Sequence, residues 1–309
     1  MKKVVISEFM DEAAVEDLRR DHRVVYDPAL VDDGPRLSAE LADADAIIVR
    51  NRTQVRGELL GDSPNLRCVG RLGVGLDNID LDACKAAGIA VFPASGANDL
   101  SVAEYVITSA AALLRNAYLG FDRMIAGEWP RQQMSGGELA GKTLGLAGFG
   151  SIARETARLA RGMGMNIAAM DPFVPEGDAA WEGVARFEDL TALAGACDVL
   201  SLHVPLTDGT RHMAGLDIFK AMKPEAVLVN AARGGVVDEA ALADALRAGD
   251  IAGAALDVFE TEPLTAEAAE KFKGLQDKLI LTPHIGGVTK EANTRVSALT
   301  AKNVRNALA

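Results

Sequence analysis

Residues 142–164 read KTLGLAGFGSIARETARLARGMG, and the fold follows from this stretch. Thr143–Ala147 is a short apolar run of strand character. Gly148-Phe149-Gly150-Ser151-Ile152-Ala153 is a turn of the form G-x-G-x-x-A, and a helical pattern follows it. Each small residue has a physical task. Gly148 permits the tight exit from the strand. Gly150 lacks the Cβ that would keep a pyrophosphate off the backbone, and Ala153 lets the helix lie close on the strand. The free N–H groups and positive dipole end of that helix then face the phosphates. Ile152, Thr156, Leu159 and Met163 recur at helical spacing and are expected to form its buried face. Glycine turns of this kind also occur where nothing binds, so context decides. The next expected strand, Ile167–Met170, ends at Asp171, an acid placed to accept hydrogen bonds from both ribose hydroxyls of NAD. The same charge repels the 2′-phosphate of NADP, and Pro172, not an arginine, comes next. The stretch predicts a dinucleotide-binding parallel sheet with NAD as its cofactor.

The same alternation extends outward in both directions. Upstream, Lys3–Ser7, Val24–Tyr26, Ala46–Val49, Leu66–Gly70 and Ile89–Phe92 read as buried strands, with helical stretches such as Asp11–Arg20 and Leu81–Ala87 between them. Asn98–Ala117 is a longer helical segment whose apolar face is Val102, Tyr105, Val106, Ser109, Leu113 and Ala117. Downstream, Thr143–Ala147, Ile167–Met170, Val199–His203, Val227–Asn230, Ala254–Val258 and Leu279–Thr282 make a series of six strands. A last helix, Lys290–Leu308, is free to return to the first domain. The expected fold is α/β: two Rossmann-like or flavodoxin-like parallel-sheet domains with an interdomain cleft. The substrate domain is expected at 1–97 together with 284–309, and the NAD-binding domain at 98–283.

Composition narrows the partners. The 309 residues carry a formal net charge of −12, which opposes nucleic-acid binding. Cys68, Cys84 and Cys197 are scattered without C-x-x-C spacing and read as buried thiols, and no metal is expected. The opening MKKVVISEFMDE is too short in apolar residues for a secretory signal, and no apolar run approaches the roughly 20 residues that span a bilayer. A cytoplasmic location with no membrane partner is expected.

Three strand ends carry polar residues that packing does not require. They are Asn230-Ala231-Ala232-Arg233-Gly234-Gly235, Asp257-Val258-Phe259-Glu260-Thr261-Glu262-Pro263 and Thr282-Pro283-His284-Ile285-Gly286-Gly287. The carboxyl ends of strands border the ligand crevice of an open α/β sheet, so these motifs are expected beside the nicotinamide. Each has an ordinary explanation alone: a helix start for Arg233, a helix-dipole partner for Glu262, a surface or core histidine for His284. Their joint occurrence at three strand ends is what points to chemistry.

GRLGVGLDNID at 70–80, GFGSIA at 148–153, HVPLT at 203–207, NAARGGVVDE at 230–239, ALDVFETEP at 255–263 and LTPHIGG at 281–287 stand in the order of one family. Over essentially its whole length the sequence resembles the D-2-hydroxyacid dehydrogenases. The resemblance implies that Arg233 binds the substrate carboxylate and polarises the 2-keto oxygen, a task suited to a permanently charged fork of donors. It implies that His284 is the acid–base, with Glu262 as the carboxylate paired to it. It also implies that Asp257 holds the nicotinamide carboxamide. Further cofactor contacts are implied for Ser151, Ile152, His203, Pro205, Thr210 and Ala231, and for Arg233 and His284 themselves. The loop Leu72-Gly73-Val74-Gly75 is implied to offer N–H groups to the substrate carboxylate.

Two short segments bear on the rest of the substrate. RNRTQV at 50–55 places Arg50 and Arg52 after a strand, and WPRQQ at 129–133 places Arg131 beyond the long helix. Both resemble segments of sulfolactate dehydrogenases, and the first also those of phosphoglycerate dehydrogenases. A pair of cations exceeds what a lactate-type substrate needs, so a second anionic group, a sulfonate or phosphate, is expected on the substrate. The alternative is that these arginines are solvated or paired with surface carboxylates. The expected reaction is reversible, NAD-dependent oxidation of a small anionic 2-hydroxy acid, in a homodimer to which the helix at 98–117 contributes. Alternatives are a glycerate/hydroxypyruvate- or lactate-type dehydrogenase, a formate or phosphite dehydrogenase on the same scaffold, and an NAD(H)-sensing binding protein without turnover.

Overall fold

The computed structural model describes residues 1–118 and 120–309. The chain divides into two compact units, Met1–Asn98 with Val288–Ala309, and Asp99–Gly287. The first unit contains strands β1 (Lys3–Ile6), β2 (Arg23–Tyr26), β3 (Ala46–Val49), β4 (Cys68–Arg71) and β5 (Ala90–Pro93). They form one parallel sheet in the order β2-β1-β3-β4-β5, the doubly wound order of flavodoxin-like domains. Helices α1 (Glu12–Arg19), α2 (Gly34–Leu41), α3 (Glu58–Gly61) and α4 (Leu81–Ala86) connect them. Asp11, Asp33 and Asp80 start α1, α2 and α4, each accepting a main-chain N–H of the first turn. Such a cap contributes about 1 kcal/mol. β1 and β3 are buried at every position, which is why they read as unbroken apolar runs.

The closing helix, α12 (Lys290–Leu308), packs Val296, Ala301, Val304 and Leu308 into one core with Val4, Ile6 and Ile48. Gly70 in β4 makes room for it, since a Cβ there would lie 2.7 Å from Val304 Cγ2.

The second unit opens with α5 (Asp99–Arg115) and α6 (Phe121–Ile125). Seven parallel strands follow: β6 (Thr143–Ala147), β7 (Asn166–Met170), β8 (Ala185–Arg186), β9 (Val199–Leu202), β10 (Val227–Asn230), β11 (Gly253–Leu256) and β12 (Leu279–Leu281). Their order is β12-β11-β10-β9-β6-β7-β8, and it reverses between β6 and β9. Helices α7 (Ser151–Gly162), α8 (Leu190–Ala196), α9 (Leu216–Ala221), α10 (Glu239–Ala248) and α11 (Ala266–Ala269) cover it. The seventh strand, β8, is the one the sequence does not announce. It is two residues long and only one of them is even half-buried.

Two expectations need correction. The buried stripe of α7 is Ala153, Thr156, Ala157 and Ala160. Ile152 and Leu159 are half-buried, and Met163 is 48% exposed. The small residues win because α7 lies close against α5 and the sheet, where larger side chains do not fit. The boundary between the units also falls later than expected, after Gly287. His284 stays with the second unit because its N–H donates to Asp257 O at 2.8 Å. The N–H groups of Ile285 and Gly286 go to the Asp257 carboxylate.

Cys68, Cys84 and Cys197 are buried free thiols, and burial pushes Cys68 and Cys197 up to about 12. They are therefore unreactive packing residues. Among the described residues no group of acids, histidines and cysteines could hold a metal ion, and no helix is long and apolar enough to cross a membrane.

Candidate active site

The site is built on the carboxyl edge of the seven-stranded sheet, and the strand order arranges it. Passing along that edge from β12 through β9 to β7, one meets His284, then Asp257 and Glu262, then Arg233, His203, Gly148 and finally Asp171. Residues far apart in sequence are thus ordered by topology alone.

The cofactor end comes first. Gly148 has φ +89°, and a Cβ on it would lie 2.6 Å from His203 O, so glycine is required for both conformation and space. Gly150 caps α7 without any side-chain hydrogen bond, and a Cβ on it would meet nothing within 4 Å. Open space therefore lies above uncapped N–H groups at a helix N-terminus, a cradle that fits a pyrophosphate. Ser151 is exposed and Ile152 half-buried at the mouth of this turn. Phe149, between the two glycines, is buried and stacks on Trp181 with ring centroids 5.2 Å apart. Asp171 is held by two main-chain donors, Phe149 N–H at 2.7 Å and Phe173 N–H at 2.8 Å, one on each oxygen. Its remaining lone pairs can accept ribose hydroxyls.

His203 Nε2 lies 2.9 Å from Ser201 Oγ, and burial pushes the imidazole down to about 4, so the ring is neutral. Pro205 and Thr210 hold one another, with Thr210 Oγ1 donating to Pro205 O at 2.6 Å. Ala231 is half-buried at the end of β10.

Arg233 follows in a loop tied back on itself. Asn230 Nδ2 donates to Arg233 O at 3.0 Å, and Arg233 Nη1 donates to Ala232 O at 2.6 Å. Gly234 then touches the loop after β11, since a Cβ there would sit 1.7 Å from Phe259 O. This close approach brings the Arg233 loop against the one that carries Glu262.

Glu262 and His284 form the pair expected of them. His284 Nδ1 lies 2.7 Å from Glu262 Oε2, while Glu262 Oε1 accepts Phe259 N–H at 3.0 Å. Burial opposes ionisation of Glu262. The bond to His284, the Phe259 N–H and the charges of His284 and Arg233 outweigh it and hold the carboxyl below its usual range. With Nδ1 engaged, Nε2 is the nitrogen left for a reacting oxygen, on a side chain that is 45% exposed. Asp257 is 1% exposed, and its carboxylate accepts Thr282 Oγ1, Ile285 N–H and Gly286 N–H.

The first unit holds the remaining candidates. Leu72 is buried, and Gly73 has φ +149° with no room for a Cβ beside the Arg71 guanidinium. The N–H groups of Val74 and Gly75 have no acceptor among the described residues, so this loop can serve an anion. A residue that the sequence reading missed organises the turn at 50–53. Glu8 is 5% exposed and accepts the N–H groups of Arg50 at 2.8 Å, Thr53 at 3.0 Å and Arg52 at 3.1 Å.

The two arginines on this turn differ. Arg50 lies over the Phe9 ring at 5.7 Å and donates to Asn293 Oδ1, with no carboxylate in ion-pair contact among the described residues. Arg52 is exposed and ion-paired with Asp32. Arg131 lies in the second unit, exposed, after Trp129.

Hydride exchange at an oxygen-bearing carbon calls for a dinucleotide cradle, a fixed cation and an acid–base group, and one sheet edge can offer all three. The class is that of the nicotinamide-dependent dehydrogenases. The chain belongs to the D-2-hydroxyacid dehydrogenase family and uses NAD. The sequence model of "D-isomer specific 2-hydroxyacid dehydrogenase, NAD binding domain" matches residues 107–286. An (S)-sulfolactate dehydrogenase of Chromohalobacter salexigens is 56% identical over 100% of this chain and 99% of its own length. A D-3-phosphoglycerate dehydrogenase of Methanocaldococcus jannaschii is 37% identical over 100% of this chain, which spans 58% of that protein. Among solved structures, the D-lactate dehydrogenase of Aquifex aeolicus complexed with NAD and lactic acid matches with a TM-score of 0.82 and 29% identity, covering 98% of this chain and 94% of that one.

Proposed function

We propose that this enzyme interconverts a 2-hydroxy acid bearing a second anionic group with its 2-keto acid, and that sulfolactate is its substrate. The observation that carries the reading is Arg50. Its guanidinium lies on an aromatic face and donates to an amide, with no carboxylate in ion-pair contact among the described residues, although the buried Glu8 that pins the turn acts on its charge from nearby. A cation held in this way retains its charge for a ligand, whereas Asp32 already neutralises Arg52. The 56% identical relative named for sulfolactate supports the same choice over lactate.

In this reading NAD, when bound, supplies hydride exchange at C2. Arg233 orients the substrate carboxylate with parallel donors, and His284 Nε2 gives its proton to the carbonyl oxygen in reduction and takes it back in oxidation. Glu262, held anionic, keeps the imidazole oriented through Nδ1. The N–H groups of Val74 and Gly75 bind the carboxylate as well, and Arg50 reads the sulfonate.

A panel of sulfolactate, 3-phosphoglycerate, glycerate, lactate and malate tests the substrate. Arg50→Gln should raise KM for sulfolactate about tenfold or more while leaving lactate nearly unchanged, as for a lost charge-assisted bond. Equal effects on both substrates would sink the reading, and NADH binding without turnover on any keto acid would favour a sensor.

A homodimer and a cytoplasmic location complete the proposal. Tyr118, Phe121, Ile125 and Trp129 are each more than 70% exposed in one short segment, a density of apolar surface suited to a second copy of the chain. One face of α5 is occupied within its own unit, and the segment after it adds apolar surface to this proposed contact. Three unpaired buried thiols suit a reducing compartment.

A further inference from the structure

The turn that presents His284 is strained. Its φ is +56°, in the left-handed region that favours glycine. Such a conformation persists only where its neighbours over-determine it. Here Asp257 is the neighbour. Its main-chain oxygen accepts His284 N–H at 2.8 Å. Its carboxylate accepts the next two N–H groups, Ile285 at 2.8 Å on Oδ1 and Gly286 at 2.7 Å on Oδ2.

The carboxylate is itself held from behind. Thr282 Oγ1 donates to Asp257 Oδ1 at 2.6 Å, and Tyr105 Oη lies 2.7 Å from Thr282 Oγ1. A threonine hydroxyl has one hydrogen, and this one is committed to the carboxylate, so Tyr105 is the donor to Thr282. Burial raises the Tyr105 phenol further, so it keeps its proton at any working pH. One turn earlier on α5, Ser101 Oγ donates to Gly286 O at 3.1 Å. The Gly286 peptide is therefore gripped on both sides, and there is little room around it. A Cβ on Gly286 would lie 3.0 Å from Asp257 Oδ2 and 3.4 Å from the Tyr105 ring.

We propose that Tyr105 and Thr282 are positioning residues for His284. The relay from Tyr105 through Thr282 to Asp257 holds the turn at 284–286, keeping Nδ1 on Glu262 and Nε2 presented to the substrate oxygen. The proposal rests on the reading of His284 as the acid–base, and it gives Asp257 a task beyond the cofactor contact expected of it. Fully satisfied buried networks of this kind rigidify what they hold.

The test uses Thr282→Val, Thr282→Ser, Tyr105→Phe and His284→Asn in the full-length enzyme, with NADH and 3-sulfopyruvate or the fastest keto acid of the panel. Thr282→Val should lower kcat about tenfold, the scale of loss from small misplacement of a reacting group. KM for the keto acid and Kd for NADH should change little, and the solvent deuterium isotope effect on kcat should rise as proton transfer becomes limiting. Thr282→Ser, which keeps the hydroxyl, should restore kcat, and Tyr105→Phe should show a smaller loss of the same kind. Wild-type kcat and isotope effect in Tyr105→Phe, with only the melting temperature lowered, would overturn the relay, as would an effect confined to KM or to NADH affinity. Should Thr282→Val not fold, Tyr105→Phe decides alone. Full turnover by His284→Asn would remove the acid–base reading and the relay with it. An inactive His284→Asn beside an unaffected Tyr105→Phe removes the relay only.

Discussion

In the proposed mechanism, Glu262 is the residue through which the site's chemistry and its stability are coupled. Its carboxyl is held below the usual value of 4.5 in the folded chain. A depressed carboxyl contributes stability above its unfolded pKa and loses it as pH falls through the folded one. Glu262→Gln should therefore lie below the wild type in melting temperature at pH 7, with the gap closing as the pH drops below about 4.5. At neutral pH its kcat should fall about a hundredfold, the low end for disabling an acid–base pair, with KM little changed. Melts and steady-state rates on the same samples check both. Arg233, Glu262 and His284 stand out in the sequence because unusual polar residues follow apolar strand ends, and the roles proposed for them come from the resemblance those motifs carry. Glu8, Tyr105 and Thr282 were not legible in their roles. Glu8 acts on main-chain atoms at 50–53 and Tyr105 on a hydroxyl at 282, and no local pattern marks a contact across such separations.

At the scale of elements, the strands were easier to read than the faces of helices. β3, β6, β10 and α12 begin and end where the sequence reading places them. α7 shows where the reading fails. Its largest apolar side chains suggested one stripe, whereas the close approach of α5 and the sheet selected the alanines. Periodicity reports which positions share a face, but the space available decides which face is buried. Ala157, 1% exposed, should therefore not tolerate enlargement, and Ala157→Leu should cost about 1–3 kcal/mol by overpacking. Met163→Lys, at a position 48% exposed, should change stability by no more than about 0.5 kcal/mol. Denaturant titrations compare the two, and a Met163 variant as damaged as the Ala157 one would restore the original face. The two-residue β8 was illegible for a simpler reason: it has too few residues to show any period.

On the scale of the whole molecule, both sheets are parallel throughout, as near-continuous buried strands alternating with helices predict. The assembly of two copies belongs to the proposed function. The sequence suggests the long helix as a contact, and exposed apolar residues also gather in the segment after it. Phe121→Asp with Ile125→Asp should convert a dimer to a monomer in sedimentation velocity, and an unchanged mass would move the interface elsewhere. That same segment holds Trp129, one of two tryptophans in the chain. The other, Trp181, stacks on Phe149 in the middle of the glycine turn. A Trp129→Phe enzyme thus carries a single indole fixed beside its coenzyme cradle. Indole emission overlaps the absorption of reduced nicotinamide, so the molecule has a built-in optical gauge that distinguishes NADH from NAD as each occupies the turn.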